Sequence, residues 1–237
     1  MTLELTPDAL GPGDGLRWLD DHRVLVVRGF WSSERAREAV QAVLAARDRW
    51  VADFDGKQFA VGRAWYAHLE TDRASDYFAT AGQGDQDVEA VVPGLQDAMR
   101  AALERLVGAP VVQRPRWAGA GIHVFPSGGV CADHGGCVHF DHEGLTPAQK
   151  DARPPALSLV LILQQGRAGG GLKLWDVLLG EPEVARGEPV EVRGEPGDLV
   201  VFSSHRLHQI QPFDGPDARI SATLHGADVF GGWESWF

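Results

Sequence analysis

The chain is poor in cysteine and lacks any long hydrophobic run. Cys131 and Cys137 are the only cysteines among 237 residues, and they do not form the Cys-x-x-Cys pairs typical of structural zinc sites. A chain of this length rarely needs a disulfide, so we expect two reduced thiols in a cytoplasmic protein. The longest apolar stretch, residues 157–163, has the length of a strand and falls well short of the roughly 18 residues of a membrane span.

Positive charge is also scarce. Lys and Arg total 22 against 33 Asp and Glu, which gives a formal net charge of -11. Such a surface repels phosphate backbones and anionic membranes, so we expect neither nucleic acid nor a membrane among the partners. Residues 1–15 are likewise acidic and lack the basic and apolar segments of a secretion signal, which again favours the cytoplasm.

The order of predicted elements indicates the fold class. A hydrophobic content of 44% suffices for one sizeable core, so we expect a single domain over residues 1–237. Residues 1–110 predict a mainly helical part, with a helix at 14–21, a strand within 23–30, a helix after Ser32 or Ser33 and another after Pro93. Residues 111–237 are rich in short predicted strands, at 121–125, 156–164, 172–175, 190–192, 199–202, 208–212 and 219–225. Helices first and strands afterwards predict an α+β fold, with the strands in a sandwich or small barrel.

The densest polar cluster of the sequence lies at residues 133–143 (DHGGCVHFDHE) and contains the pair His139-x-Asp141. Residues i and i+2 of a strand project from the same face, so this imidazole and this carboxylate can bind one metal ion side by side. A second histidine from a distant strand would complete a set of two histidines and one carboxylate. That set suits iron(II) and leaves coordination positions open for small molecules.

The third ligand is predicted within residues 197–212 (GDLVVFSSHRLHQIQP), where two histidines compete. We favour His208 over His205, because the residues after His208 continue an extended run. Further along the chain, Arg219 and Ser221 form another i, i+2 pair. A guanidinium beside a hydroxyl is a natural clamp for a carboxylate, since arginine donates two parallel hydrogen bonds.

This ordered series of motifs resembles the iron(II)/2-oxoglutarate-dependent oxygenase superfamily, and its prolyl-hydroxylase-like branch is the nearest in pattern. The resemblance covers about half of the chain, and the fold that it implies is a double-stranded β-helix (jelly-roll, cupin-like) core over residues 111–237 with flanking N-terminal helices. The motifs are His139-Phe-Asp141, Gly170-Gly171-Leu172, Gly197-Asp198, His208-Gln-Ile-Gln-Pro212 and Arg219-Ile-Ser221.

The resemblance also implies a site and an activity. Fe(II) would be held by His139, Asp141 and His208, and the far carboxylate of 2-oxoglutarate by Arg219 and Ser221. With O2, such a dioxygenase hydroxylates or otherwise oxidises an unactivated C–H bond and releases succinate and CO2. Related iron halogenases carry Gly or Ala in place of the carboxylate, so Asp141 favours hydroxylation.

We expect the substrate to be a small molecule, either a free amino acid or a natural-product intermediate, because the sequence has no evident peptide-binding module and its helical N-terminal part can close a pocket. Two alternatives stay open. The first is a prolyl-type hydroxylase that acts on a peptide or protein, which an open groove beside the site would favour. The second is a cupin-like metal-binding protein without oxygen chemistry, which would have no need for Arg219 and Ser221.

Four further residues are candidates for substrate contact. His134 and His142 flank the metal motif, and His123 lies on the predicted strand at 121–125. Trp236 belongs to the aromatic segment 230–237 (FGGWESWF), which either folds back over the site, mediates a homodimer or docks on its own core. For each histidine, the interpretation that competes with substrate contact is a position on the solvated surface or a structural position in the core.

Overall fold

The computed structural model describes residues 1–182, 187–229 and 231–237. These contain the helices α1 (Asp14–Asp21), α2 (Ser33–Ala45), α3 (Trp65–Glu70), α4 (Ala74–Val91), α5 (Leu95–Val107), α6 (Val130–His134) and α7 (Pro147–Ala152). The strands are β1 (Thr2–Leu5), β2 (Val24–Val27), β3 (Val51–Asp53), β4 (Gln58–Val61), β5 (Val111–Gln113), β6 (Gly121–Phe125), β7 (Ala156–Gln164), β8 (Ala168–Gly169), β9 (Leu172–Leu178), β10 (Val190–Val192), β11 (Leu199–Ser203), β12 (Arg206–Ile210), β13 (Phe213–Asp214), β14 (Arg219–Asp228) and β15 (Trp233–Trp236). Short 3-10 helices lie at Pro7–Ala9, Arg47–Arg49 and Phe54–Gly56.

One large sheet of ten strands organises the molecule. Its hydrogen-bonded order is β1-β2-β11-β7-β14-β6-β4-β3, and β15 pairs with both β14 and β5. Residues 1–110 therefore contribute β1 and β2 at one end of the sheet and β3 and β4 at the other, in addition to helices α1 to α5. The predicted mixture of helices and strands is confirmed, and among the described residues the strands do not close into a barrel.

The central strand β7 is buried on both faces, which explains its continuous apolar sequence. Because side chains alternate along a strand, Leu159, Leu161 and Leu163 face one side and Val160 and Ile162 the other. The leucines join the core formed with helices α2 and α5. The other two pack against a second, three-stranded sheet with the order β10-β9-β12. The large sheet thus lies between a helical layer and a small sheet.

The helical layer forms where local sequence signals are strong. The side chain of Ser32 caps α2 by accepting a hydrogen bond from the Arg35 amide at 3.1 Å. Helix α5 ends at Val107 and is followed by Gly108, whose φ of 69° is a left-handed conformation that glycine adopts without strain. Both helices agree with the sequence prediction, although α5 begins at Leu95 rather than around Pro93. Within the part of the chain that the structure describes, no helix is long and apolar enough to cross a membrane.

Candidate metal centre and its cavity

The three residues predicted as metal ligands lie together in space. His139, Asp141 and His208 each offer one ligand atom, and these atoms all lie within 4.8 Å of one another. The Nε2 atom of His139 is 3.3 Å from Oδ1 of Asp141, and the Nε2 atom of His208 is 3.4 Å from Oδ2. Ligands about 2.1 Å from a shared cation, at roughly right angles, are about 3 Å apart. The separations therefore suit a single small divalent ion.

Backbone pairing places the two histidines side by side. His139 and His208 form an antiparallel bridge, in which each amide donates to the carbonyl of the other at 3.0 Å. Two residues later, the amide of Asp141 donates to the Ser204 carbonyl at 3.0 Å. Directly opposed residues on adjacent extended segments carry neighbouring side chains. The His-x-Asp spacing then brings the carboxylate to the same face as the imidazoles.

The orientation of both imidazole rings is fixed by their Nδ1 atoms. Nδ1 of His139 lies 2.8 Å from the Cys137 carbonyl, and Nδ1 of His208 lies 2.9 Å from the Arg206 carbonyl. A carbonyl can only accept, so Nδ1 carries a proton in each ring, and in the neutral ring the lone pair is on Nε2. Metal-binding histidines are oriented in this way by a hydrogen bond from the second ring nitrogen.

The carboxylate of Asp141 is held by a small polar network. The hydroxyl of Ser158 donates to Oδ2 of Asp141 at 2.6 Å and lies 2.9 Å from Oγ of Ser204 and 3.1 Å from Nδ1 of His225. His225 Nδ1 is itself 3.8 Å from Oδ2. Burial opposes ionisation of Asp141, yet the charges of His208 and His225 hold the pKa of Asp141 well below its ordinary value. The acid is therefore ionised and ready to bind a cation.

The three residues that surround the Asp141 carboxylate in this network, Ser158, Ser204 and His225, were not singled out from the sequence. His225 continues the alternation that begins with Arg219 and Ser221 on β14, so the sequence did carry a signal for it. Ser158 lies directly opposite His225 in the pairing of β7 with β14. Only that register connects the two residues, and no local motif marks the serine.

A buried arginine faces the same space as the metal ligands. Arg219 is 1% exposed, and it donates from Nε to the Gly170 carbonyl at 2.8 Å and from Nη1 to Oγ of Ser221 at 3.1 Å. Its Nη2 atom is buried and has no hydrogen-bond partner among the described residues. Burial lowers the pKa of Arg219 to about 10, which still leaves it charged at neutral pH. A buried cation with a free donor is suited to an anionic ligand.

One cavity of about 430 Å³ contains both groups. Its wall includes His139, Asp141 and His208 together with Arg219 and Ser221. Cavities of roughly 300 to 1,000 Å³ are typical of small-molecule sites. The candidate metal ligands and the predicted carboxylate clamp, which are separated along the chain, thus line a single cavity.

The other histidines differ in their relation to this cavity. His123 lines it, is 6% exposed, and has a buried Nδ1 atom without a hydrogen-bond partner among the described residues. His142 is half-buried and His134 is exposed on α6, and neither lies in the cavity wall. His205 lies apart from the metal ligands, because its Nε2 atom is bound 2.8 Å from the Pro154 carbonyl. Of the three histidines predicted as substrate contacts, His123 alone lies in the wall of this cavity, and substrate contact stays a prediction for all three.

The aromatic C-terminal segment folds back onto its own chain. Trp236 is 3% exposed and lines the cavity, and strand β15 that contains it pairs with β14 and β5. The Phe237 ring also lines the cavity, with its centroid 4.7 Å from that of His123. Phe230, the first residue of the segment, lies outside the described residues. The structure therefore puts the end of the segment in the cavity wall.

No protein-family model matches this chain, and no curated protein matches it either. Function is therefore inferred from the chemistry of the site. The site joins two oriented imidazoles and an ionised carboxylate to a buried guanidinium within one cavity. Such a set can bind a divalent cation and an organic anion at the same time.

Proposed function

We propose that this chain is an iron(II)- and 2-oxoglutarate-dependent oxygenase that hydroxylates a small molecule. The observation that carries the proposal is the shared cavity, because the His139, Asp141 and His208 donor set and the Arg219 guanidinium line one space. Two histidines and a carboxylate alone would suit several kinds of metal protein. The buried, incompletely paired guanidinium favours a cosubstrate that chelates the metal at one end and carries a carboxylate at the other.

The residues present fit both implied groups. Two Nε2 lone pairs and one carboxylate form the facial set of non-haem iron(II) oxygenases, with positions left for cosubstrate and O2. Arg219 and Ser221 would hold the far carboxylate of 2-oxoglutarate, which would also supply the missing partner of Nη2. When bound, Fe(II) with 2-oxoglutarate and O2 supplies the oxidising power to attack an unactivated C–H bond, with succinate and CO2 as products.

The chain itself contributes orientation and exclusion of water. The Nδ1 hydrogen bonds of His139 and His208 keep their Nε2 atoms directed at the ion, and Ser158 orients the Asp141 carboxylate. Buried apolar side chains, among them Leu172 and Phe202, line the cavity beside these ligands. A dry wall strengthens each charge interaction inside the site and limits access of water to reactive species.

We infer further that the core is a double-stranded β-helix. The inference is supported by the packing of the three-stranded sheet on the large sheet through one buried apolar cluster. Both sheets contribute to the cavity wall, with Val160 and Thr223 from the large sheet and Leu172 and His208 from the small one. A ligand site between two facing sheets is what a jelly-roll of this kind provides.

The dimensions of the cavity favour a small substrate over a peptide. A volume of about 430 Å³ has to contain the metal, the cosubstrate and the substrate together. Trp236 and Phe237 are buried against the chain and form part of its wall. A cavity of this size suits a free amino acid or a molecule of similar size better than a folded protein partner.

Formation of succinate from 2-oxoglutarate tests the proposal. Purified protein supplied with Fe(II), 2-oxoglutarate and O2 is expected to produce succinate slowly, and faster when a substrate is added. The Asp141→Ala variant is expected to lose this turnover. Asp133→Ala, which removes an exposed acid near the same motif, is the matched control and is expected to keep it. Stoichiometric metal binding without any succinate would instead support a metal-binding protein without oxygen chemistry.

A further inference from the structure

A buried imidazole in the cavity wall has no hydrogen-bond partner within the described part of the protein. His123 is 6% exposed, and neither of its ring nitrogens bonds to another of the described residues. The ring packs against Tyr66, Phe125 and Phe237, whose centroids are 5.6, 5.8 and 4.7 Å away. A buried polar group without a partner costs free energy unless a ligand or water satisfies it. Because His123 lines the cavity, the missing partner can enter there.

The pairing of β6 with β14 puts His123 beside the proposed carboxylate clamp. His123 lies directly opposite Ser221, and Phe125 lies opposite Arg219. Directly opposed residues of an antiparallel pair project from the same face, with Cβ atoms about 5 Å apart. The hydroxyl of Ser221 is in turn 3.1 Å from Nη1 of Arg219. His123, Ser221 and Arg219 therefore form a continuous polar row in the cavity wall.

Each member of this row has a donor that no other described residue accepts. Nη2 of Arg219 is buried and unpaired. The Ser221 hydroxyl accepts from Arg219, so its own proton stays available. Nδ1 of His123 is enclosed without an acceptor, so the proton of the neutral ring belongs on Nε2, which is not enclosed. Three available donors in one row suit a group with several lone pairs, and a carboxylate is such a group.

The ring of His123 is uncharged, which suits a site that already contains a cation. Burial, together with the charges of His225 and Arg219, lowers the pKa of His123 to about 3, against the opposing charge of Asp141. Arg219 then supplies the positive charge that pairs with one carboxylate, and His123 adds a neutral donor. The row therefore carries the charge of a site for a single carboxylate.

We infer that His123 is a third donor of the carboxylate clamp, and that its Nε2 atom binds the same carboxylate as Arg219 and Ser221. The inference rests on the proposed function only in naming 2-oxoglutarate as the molecule that carries this carboxylate. The role differs from the substrate contact predicted from the sequence, because the strand register puts His123 next to Ser221. Three donors left without an acceptor would disfavour a ligand that has a methyl group in place of the carboxylate.

Binding of two matched 2-oxo acids to the Zn(II)-loaded full chain tests the inference by calorimetry. 2-Oxoglutarate and 2-oxopentanoate share the end that chelates the metal, and they end in a carboxylate and a methyl group respectively. We expect 2-oxoglutarate to bind at least about tenfold more tightly. His123→Phe keeps a ring but removes both nitrogens. In this variant, affinity for 2-oxoglutarate should fall about tenfold, and affinity for 2-oxopentanoate should change by less than about twofold.

Further variants and a second measurement separate ligand binding from a structural role. His123→Gln keeps an N–H donor and should recover part of the preference for 2-oxoglutarate. His22→Phe changes a histidine outside the cavity wall and should leave both affinities unchanged. By NMR, an imidazole N–H signal of the unaltered chain that is absent from both His123 variants should shift with 2-oxoglutarate and stay in place with 2-oxopentanoate. This comparison stays decisive if a variant is unstable.

Three results would overturn the inference. These are equal affinities of the unaltered chain for the two acids, an unchanged preference in His123→Phe, and an equal loss of both affinities in that variant. An unchanged preference would reject the third donor and leave the Arg219 clamp and the proposed oxygenase intact. Absence of succinate in the turnover experiment, with the preference present and lost in His123→Phe, would instead reject the oxygenase alone.

Discussion

His139 and His208 face each other across adjacent extended segments, and each donates its amide to the carbonyl of the other at 3.0 Å. Their ring centroids are 4.2 Å apart. The relative position of these two candidate metal ligands is therefore set by backbone hydrogen bonds, and the Nδ1 contacts set the direction of each ring. A site prepared in this way can bind an ion with little rearrangement of the chain.

Loss of the Ser158 hydroxyl is expected to weaken metal binding without removing a ligand. In Ser158→Ala, the Asp141 carboxylate loses the 2.6 Å hydrogen bond that orients it. We expect affinity for Fe(II) to fall by about 10- to 100-fold, as measured by anaerobic competition with a chelating dye. Ser75→Ala, on the exposed side of α4, is the control. Equal affinities in the two variants would show that Ser158 does not orient the carboxylate.

Replacement of Arg219 is expected to weaken the binding of 2-oxoglutarate strongly while leaving the stability of the fold nearly unchanged. Arg219→Met exchanges a buried cation that lacks a carboxylate partner for an apolar side chain of similar volume. We expect the free energy of unfolding to stay within about 1 kcal/mol of the original value. The increase in melting temperature that 2-oxoglutarate gives the Fe(II)-loaded protein should disappear.

Thermal unfolding with and without 2-oxoglutarate measures both effects of Arg219→Met. The conservative variant Arg219→Lys keeps the charge but loses the two-nitrogen geometry, so it should recover only part of the ligand effect. A large loss of stability in Arg219→Met, with stabilisation by 2-oxoglutarate retained, would contradict the proposed clamp and make this arginine a purely structural residue.

The pH dependence of the metal-free protein follows from His139. Burial acts against protonation, but the hydrogen bond and charge of Asp141 raise the pKa of His139 from 6.5 to about 9. A group whose pKa is higher in the folded state stabilises that state fully below its unfolded pKa and loses the effect as pH rises through the folded value. We therefore expect the metal-free protein to lose stability between pH 6.5 and about 9.

Metal binding is expected to change with pH in the opposite direction. An ion must displace the proton on His139, so affinity for the metal should rise across the same range. Thermal melts in chelator and metal titrations at several pH values measure the two trends. In chelator, the His139→Gln variant should keep its stability across this pH range. A metal affinity that does not change between pH 6.5 and 9 would contradict the raised pKa of His139.

Much of the β-rich half could be predicted from local sequence. The bounds of β6, β7 and β10 agree with the predicted segments, because each is a short apolar or alternating run limited by turn residues. The spacing His139-x-Asp141 likewise predicted an imidazole and a carboxylate close together, as the structure has them. Both results depend on residues that are neighbours in the chain, where alternation and turn chemistry act directly.

Features that depend on distant pairing could not be predicted in this way. Strand β1 is stabilised by parallel pairing with β2, and β4 by antiparallel pairing with β6, so their own short sequences carry little signal. Ser158 is a single hydroxyl in an apolar strand, and its role follows only from its register with His225. Helix α7 was not predicted, although Thr146 and Gln149 form the capping box that begins it.

The most direct test of the proposed oxygenase is an anaerobic titration of the protein with Fe(II) and 2-oxoglutarate. We predict a saturable, weak visible charge-transfer band of the Fe(II)–2-oxoglutarate chelate. The band should be absent in Asp141→Ala, present in Asp133→Ala, and reached only at higher 2-oxoglutarate concentration in Arg219→Met. Stoichiometric binding of Fe(II) without any band would contradict the proposal, because the His139, Asp141 and His208 set would then hold a metal that does not bind this cosubstrate.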